Sequence, residues 1–202
     1  MDIIATLTRE HTLILRTLDA LELYADGVAR GSWIREDDLG KFVIFCQNYV
    51  AGVHRTAEDL VFEAMVARGY SRQKGLIGSL AADHDSGRRL VGRLACMAYD
   101  VAPWTARDRT TIADAAREYV RLMRALIHKE QGMVFPLVGV SLLAHVFREI
   151  SDARRRLEAQ HGMGATRERF ESLAQELADR YCGAQEHSSG GSLPRRGAMQ
   201  SA

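Results

Sequence analysis

Apolar positions recur at helical spacing from the first turn of the chain onward. Ile4, Leu7, His11, Ile14, Leu18 and Leu21 fall three and four residues apart and form one stripe of a helix expected from Ile3 to Val28. A second helix, expected from Asp37 to Arg68, carries Ile44, Val50, His54, Glu58, Val61 and Met65 on one face, with Phe42, Phe45, Tyr49 and Phe62 beside it. A third, from Ile77 to Tyr99, carries Leu80, His84, Gly87, Val91 and Leu94, and a fourth, from Arg107 to Phe135, carries Tyr119, Leu122, Leu126 and Val134. The connectors "RGSWIREDD", "RGYSRQKG" and "DVAPWTARD" interrupt the periodicity. No sustained alternation and no Asn-Gly or Asp-Gly hairpin signals a strand.

Long helices joined by short loops predict an all-α, up-down-up-down four-helix bundle over residues 1–140. The stretches "LLAHVFREISDARRRLEAQ" and "TRERFESLAQELADRYCG" predict additional C-terminal helices, an extension over residues 141–183 packed on the outside of the bundle. Residues 184–202 are Ser/Gly-rich and lack a core face, so they are expected to form a disordered tail.

Composition removes several function classes. The net charge of +1 carries no nucleic-acid footprint. No apolar run approaches the roughly 20 residues of a membrane span, and the start "MDIIATLTREH" meets charged residues too early for a signal peptide. Cys46, Cys96 and Cys182 are scattered and form no CxxC pair, which fits inert thiols in the cytoplasm. No nucleophile with a matching base, phosphate loop or nucleotide fingerprint is present, so any catalysis would have to come from a metal.

Histidines carry the candidate chemistry. His11, His54, His84 and His128 fall one on each bundle helix, whereas His145, His161 and His187 lie in the outer region and tail. A single histidine on an apolar face is most simply a hydrogen-bonded core residue. His54 and Glu58, four apart, could equally form a surface pair worth a few tenths of a kcal/mol. Three histidines on apolar stripes, with a carboxylate one turn from one of them, point instead to a metal. Imidazole with carboxylate suits iron, manganese or zinc, and bundles build dinuclear carboxylate sites from facing helices.

Four segments, in order, resemble the bacterial hemerythrin-like, or HHE, cation-binding family: "LTREHTLILRTLDALE", "VHRTAEDLVFEAMVARGY", "GLIGSLAADHDSGRRLVGRL" and "YVRLMRALIHKEQGMVFPL". The resemblance implies a four-helix bundle holding a non-haem di-iron centre, with His11, His54, Glu58, His84 and Glu130 at ligand positions. It implies O2, nitric oxide or peroxide as small ligands, bound or sensed, or a part in iron handling. The fourth helix departs from the pattern. The histidine expected four residues before Glu130 is Leu126, and His128 stands two residues later, a rotation of about 200°. His128 would bind metal only if the helix turned, and Glu130 would then leave. The second helix admits two registers: one places His54 and Glu58 at the ligand positions, the other Val53 and Ala57. Arg55 replaces a second histidine common after the first. An incomplete set could hold two metals, one, or none. The alternative function is a degenerate bundle acting as an interaction or structural module.

Overall fold

A computed structural model describes residues 3–32, 34–100, 103–160 and 163–183, all helix and connecting turns with no strand among them. The first helix, α1, spans Ile3–Arg30 and ends on Gly31, whose φ of 61° lies in the left-handed region that a side chain disfavours. A second long helix is built from α2 (Asp37–Ile44), a π-helical segment (Phe45–His54) and α3 (Arg55–Val66) without a break. The third is α4 (Gly75–Ala98). The fourth combines α5 (Ala106–Lys129), a second π segment (Glu130–Val134) and α6 (Phe135–Ser141). Two more helices follow, α7 (Ala144–Gln160) and α8 (Met163–Tyr181). The expected tail at 184–202, with His187, and also His161, lie outside the described residues.

Local chemistry accounts for several boundaries. Thr105 caps α5 in a reciprocal box with Asp108: the Asp108 N–H donates to Thr105 Oγ1 at 3.2 Å, and the Thr105 N–H donates to Asp108 Oδ2 at 2.9 Å. Pro136 sits inside a continuous helix. It lacks an N–H and would crowd the carbonyl four residues back. The π segment ending at Val134 relieves this, because its wider turns bond five residues back, as Phe135 N–H does to Glu130 O.

The first π segment corrects one sequence expectation. An uninterrupted α-helix puts Ile44 on the face of His54 and Glu58, yet Ile44 is 40% exposed. Arg55 N–H reaches back to Val50 O, five residues earlier. This wider winding changes the angular phase between the two ends, so upstream of His54 the core is met by Phe42, Val43, Phe45, Cys46 and Tyr49. The thiols differ as well: Cys46 is buried, Cys96 is exposed and Cys182 is half-buried.

The core lies between α1, the 37–66 helix, α4 and the 106–141 helix, which pack on one another as a bundle. α8 lies along α1 and the first π segment, and α7 against α3 and α8. Asp38 shows how α8 is held. It is fully buried at the start of α2, accepts from Tyr181 Oη at 2.7 Å and from Arg180 Nη1, and sits 3.3 Å from Lys41 Nζ. Among the described residues no single helix is long and apolar enough to cross a membrane.

Candidate metal centre

Each of the four bundle helices delivers at least one polar side chain to one buried point. His11 comes from the first third of α1. His54 is the last residue of the first π segment, and Glu58 follows one turn later in α3. His84 comes from α4, and Glu130 is the first residue of the second π segment. Relative exposures are 0, 2, 1, 7 and 0% for His11, His54, Glu58, His84 and Glu130, so water cannot satisfy them. His11, His54, Glu58 and Glu130 each offer a ligand atom within 4.8 Å of the others.

The atoms sort into two sides. On one, Glu58 Oε1 lies 2.9 Å from His54 Nε2 and 3.9 Å from His11 Nε2, and Glu130 Oε2 lies 3.1 Å from His11 Nε2. On the other, His84 Nε2 lies 3.3 Å from Glu58 Oε2 and 3.5 Å from Glu130 Oε1. Each carboxylate therefore turns one oxygen to each side. Ligands about 2.1 Å from a common ion stand about 3 Å apart at right angles, close to these separations. Both nitrogens of His11, Nε2 of His84 and both oxygens of Glu58 and Glu130 have no hydrogen-bond partner. Unmade hydrogen bonds in a closed core cost roughly 1–3 kcal/mol per group. A cation in their midst would satisfy them, so the donor set fits one.

Electrostatics agree with that shape. Burial pulls His54 toward neutrality, but the Glu58 and Glu10 carboxylates outweigh it and raise its pKa to about 10. Burial likewise raises Glu58, and the surrounding histidines, His54 foremost, bring it well below the usual carboxylate range. His54 is thus protonated and Glu58 ionised, and a metal ion bound there would compete with the His54 proton. The His11 ring lies parallel to Phe135, centroids 5.4 Å apart, which fixes its tilt.

His128 does not join this group. Its side chain is exposed, while Leu126 is buried at 1% and Glu130 at 0%. The helix keeps the phase of Leu126 and Glu130, one turn apart, and His128 is turned to solvent. The register of the second helix is likewise visible: His54 and Glu58 reach the cluster, while Val53 and Ala57 are buried apolar neighbours.

Residues 2–138 match the hemerythrin HHE cation binding domain. The chain belongs to the hemerythrin HHE family. Neither a curated protein nor a solved structure matches it. The hemerythrin-like core therefore accounts for α1 to α6 up to Val138, and α7 and α8 follow beyond the matched segment.

Three features at this hemerythrin-like centre were not read from the sequence. Glu10, beside His11, is 5% exposed and accepts a hydrogen bond from His54 Nδ1 at 2.9 Å. Its signal was available, since Glu10, Ile14, Thr17 and Leu21 share a stripe. Arg55 Nη1 stands 3.5 Å from Glu58 Oε2, a fixed positive charge on the His84 side. A cavity of about 300 Å³ also opens on that side, bounded by Val50, Arg55, His84, Gly87, Tyr119 and Met123. Gly87 keeps it clear: a Cβ there would lie 3.5 Å from Met123 Sδ and 3.6 Å from Tyr119. Cys46 also lines it, and burial pushes that thiol up to about 12, so it stays protonated.

Proposed function

We propose that the chain is a non-haem iron protein with a dinuclear site that binds or senses a small ligand such as O2, nitric oxide or peroxide. One observation carries the reading: Glu58 and Glu130, both buried, divide their oxygens between a His11/His54 side and a His84 side, and none of the four oxygens has a hydrogen-bond partner. Carboxylates suit this role because they can bridge two cations and offset their charge. His11, His54, Glu58 and Glu130 would hold the first iron. His84 with the second oxygens of Glu58 and Glu130 would hold the other, with fewer protein donors. Ferrous iron supplies electrons and an open coordination position for a diatomic molecule or peroxide. The residues around it exclude bulk water, and the cavity on the His84 side is the approach for a small molecule.

The two sides are unequal. Leu126 withholds a nitrogen from the fourth helix, and Arg55 places positive charge beside Glu58 Oε2. The first iron is therefore held more tightly than the second. Anaerobic reconstitution with ferrous iron, followed by metal analysis and a visible spectrum after exposure to air, tests the proposal. The expected result is bound iron with an absorption band of an oxo-bridged ferric pair; His84→Ala should lose the band and the more weakly held iron. Protein that holds no iron after reconstitution overturns it.

A second reading, an interaction module with a degenerate site, draws on the same Leu126 and Arg55. It requires that a chelator leave the melting temperature unchanged.

A further inference from the structure

The family match ends at residue 138, but the chain of contacts around the metal ligands does not. α7 buries only Ile150 and Arg154. Arg154 is 8% exposed, unusual for a residue on a helix that is otherwise mostly solvated. Its Nη2 donates to Glu10 Oε1, and its Nε donates to Glu158 Oε1 at 2.8 Å. Arg167 of α8 donates from Nη2 to Glu158 and lies 3.6 Å from the same Glu10 oxygen. The other oxygen of Glu10 accepts from His54 Nδ1 at 2.9 Å. His54 Nε2, across the ring, faces Glu58 at 2.9 Å. The path runs unbroken from the C-terminal helices to a ligand nitrogen: Arg154, Glu10, His54.

Each contact has a physical function. A buried carboxylate needs charged or hydrogen-bonding partners for both oxygens; His54 of the bundle serves Oε2, and Arg154 supplies the partner for Oε1. Glu10, so held, accepts from Nδ1. That acceptor fixes the plane of the ring and leaves Nε2 as the atom that can coordinate. Conversely, α7 seats Ile150 in the core and Val146 and Phe147 against it, and the Glu10 carboxylate is its charged anchor. Ring placement and helix docking share one side chain.

We propose that the C-terminal helices are a working part of the metal centre, with Arg154 a positioning residue that sets His54 through Glu10, so that metal loading and docking of α7 strengthen each other. The inference rests on the reading of the cluster as a metal site. Outer-shell partners of a ligating histidine are worth about 10- to 100-fold in metal affinity. Because coupling is reciprocal, bound metal should reduce opening of α7 by the same factor.

The test uses the full chain and Co2+, whose visible d–d bands report ligand geometry. Wild type, Arg154→Met, Arg154→Lys and Glu10→Gln are titrated with Co2+, and amide hydrogen exchange across 144–160 is followed with and without the metal. Arg154→Met is expected to bind Co2+ about 10- to 100-fold more weakly, with altered d–d bands. Arg154→Lys, which restores the charge, should recover part of that loss. Glu10→Gln still offers His54 an acceptor but no longer pairs with Arg154, so it should abolish the protection that Co2+ gives α7. If Arg154→Met and Glu10→Gln match wild type in affinity, spectrum and α7 protection, the inference fails and the metal site stands. If wild type itself binds no Co2+, both fail.

Discussion

Replacing Glu130 with Met separates a metal ligand from a merely structural acid. Glu130 is fully buried, both oxygens lack a hydrogen-bond partner, and its neighbours are His11 Nε2 at 3.1 Å and His84 Nε2 at 3.5 Å. Met is close in volume, and such swaps cost under about 1.5 kcal/mol in packing. Removing an unsatisfied buried acceptor relieves roughly 1–3 kcal/mol. Burial is the largest influence on His11 and lowers its pKa, but Glu130 and Glu58 outweigh it and raise it overall. Without Glu130, burial and His54 are opposed by Glu58 alone, so its pKa falls toward the neutral ring. The metal-free variant should therefore be at least as stable as wild type, because relief of roughly 1–3 kcal/mol matches or exceeds a packing cost under about 1.5 kcal/mol. At about 2–4 °C per kcal/mol for a chain of this size, the melting temperature should hold or rise by a few degrees. With metal the order reverses. At a free metal concentration of about 1,000 times Kd, wild type gains about 4 kcal/mol, or roughly 8–16 °C, and the variant, short of one ligand, should gain less than half of that. Calorimetric scans at pH 8, in chelator and in anaerobic ferrous iron, measure both quantities. A metal-free variant melting several degrees below wild type would refute the reasoning, because Glu130 would then be serving a finished ion-pair network.

Leu126→His restores a nitrogen one turn before Glu130; it should raise the iron bound per chain toward two while destabilising the metal-free protein by about 2–5 kcal/mol, read by metal analysis and chelator melts. Gly87→Leu should fill the cavity beside His84, leaving iron content unchanged but slowing association of nitric oxide with the ferrous protein in stopped flow; an unchanged rate places the approach elsewhere. Because His54 holds its proton up to about pH 10, iron uptake at pH 8 should release protons and tighten as pH rises; calorimetry in buffers of different ionisation enthalpy would show no buffer dependence if that is wrong. Burial raises the Asp38 pKa, but hydrogen bonds from Arg180, Tyr181 and Lys41 outweigh it, so the net shift is downward. The stability it contributes is thus present above the unfolded carboxylate value of about 3.9 and lost as pH falls through the lower folded value. Acid unfolding of α8, followed by hydrogen exchange, should lose that component in Asp38→Asn.

Much of the centre was legible because ligand spacing and helix periodicity are the same signal. His11, His54 and His84 interrupt apolar stripes and Glu58 sits one turn from His54, whereas Glu130 came only from the likeness of the fourth segment to the family pattern. The same arithmetic kept His128 and Glu130 from both facing the core, since two residues turn a helix about half-way round, and the structure turns Glu130 inward. What stayed hidden depended on departures from that arithmetic or on distance in sequence. The exposure of Ile44 comes from a π segment, which leaves no pattern in residue types. Glu10 could be placed on a buried stripe from its spacing, but its partner Arg154 stands 144 residues later in the chain, and no local rule connects them. The cavity depends on a missing side chain at Gly87, which by itself reads as an ordinary small residue in a helix.

The two π segments carry a consequence for insertions and deletions. The 37–66 helix serves two masters: its upstream half aims Phe42, Phe45 and Tyr49 into the core, and its downstream half aims His54 and Glu58 at the cluster. The Phe45–His54 segment is the clutch that lets both faces engage at once. Removing one residue there, such as Gly52, would let the backbone close into plain α-helix and turn one half against the other by about 100°. The helix would remain, but either its aromatic wedge or its ligand pair would swing out to solvent. Loops in this protein can absorb length changes; its most regular-looking helix cannot.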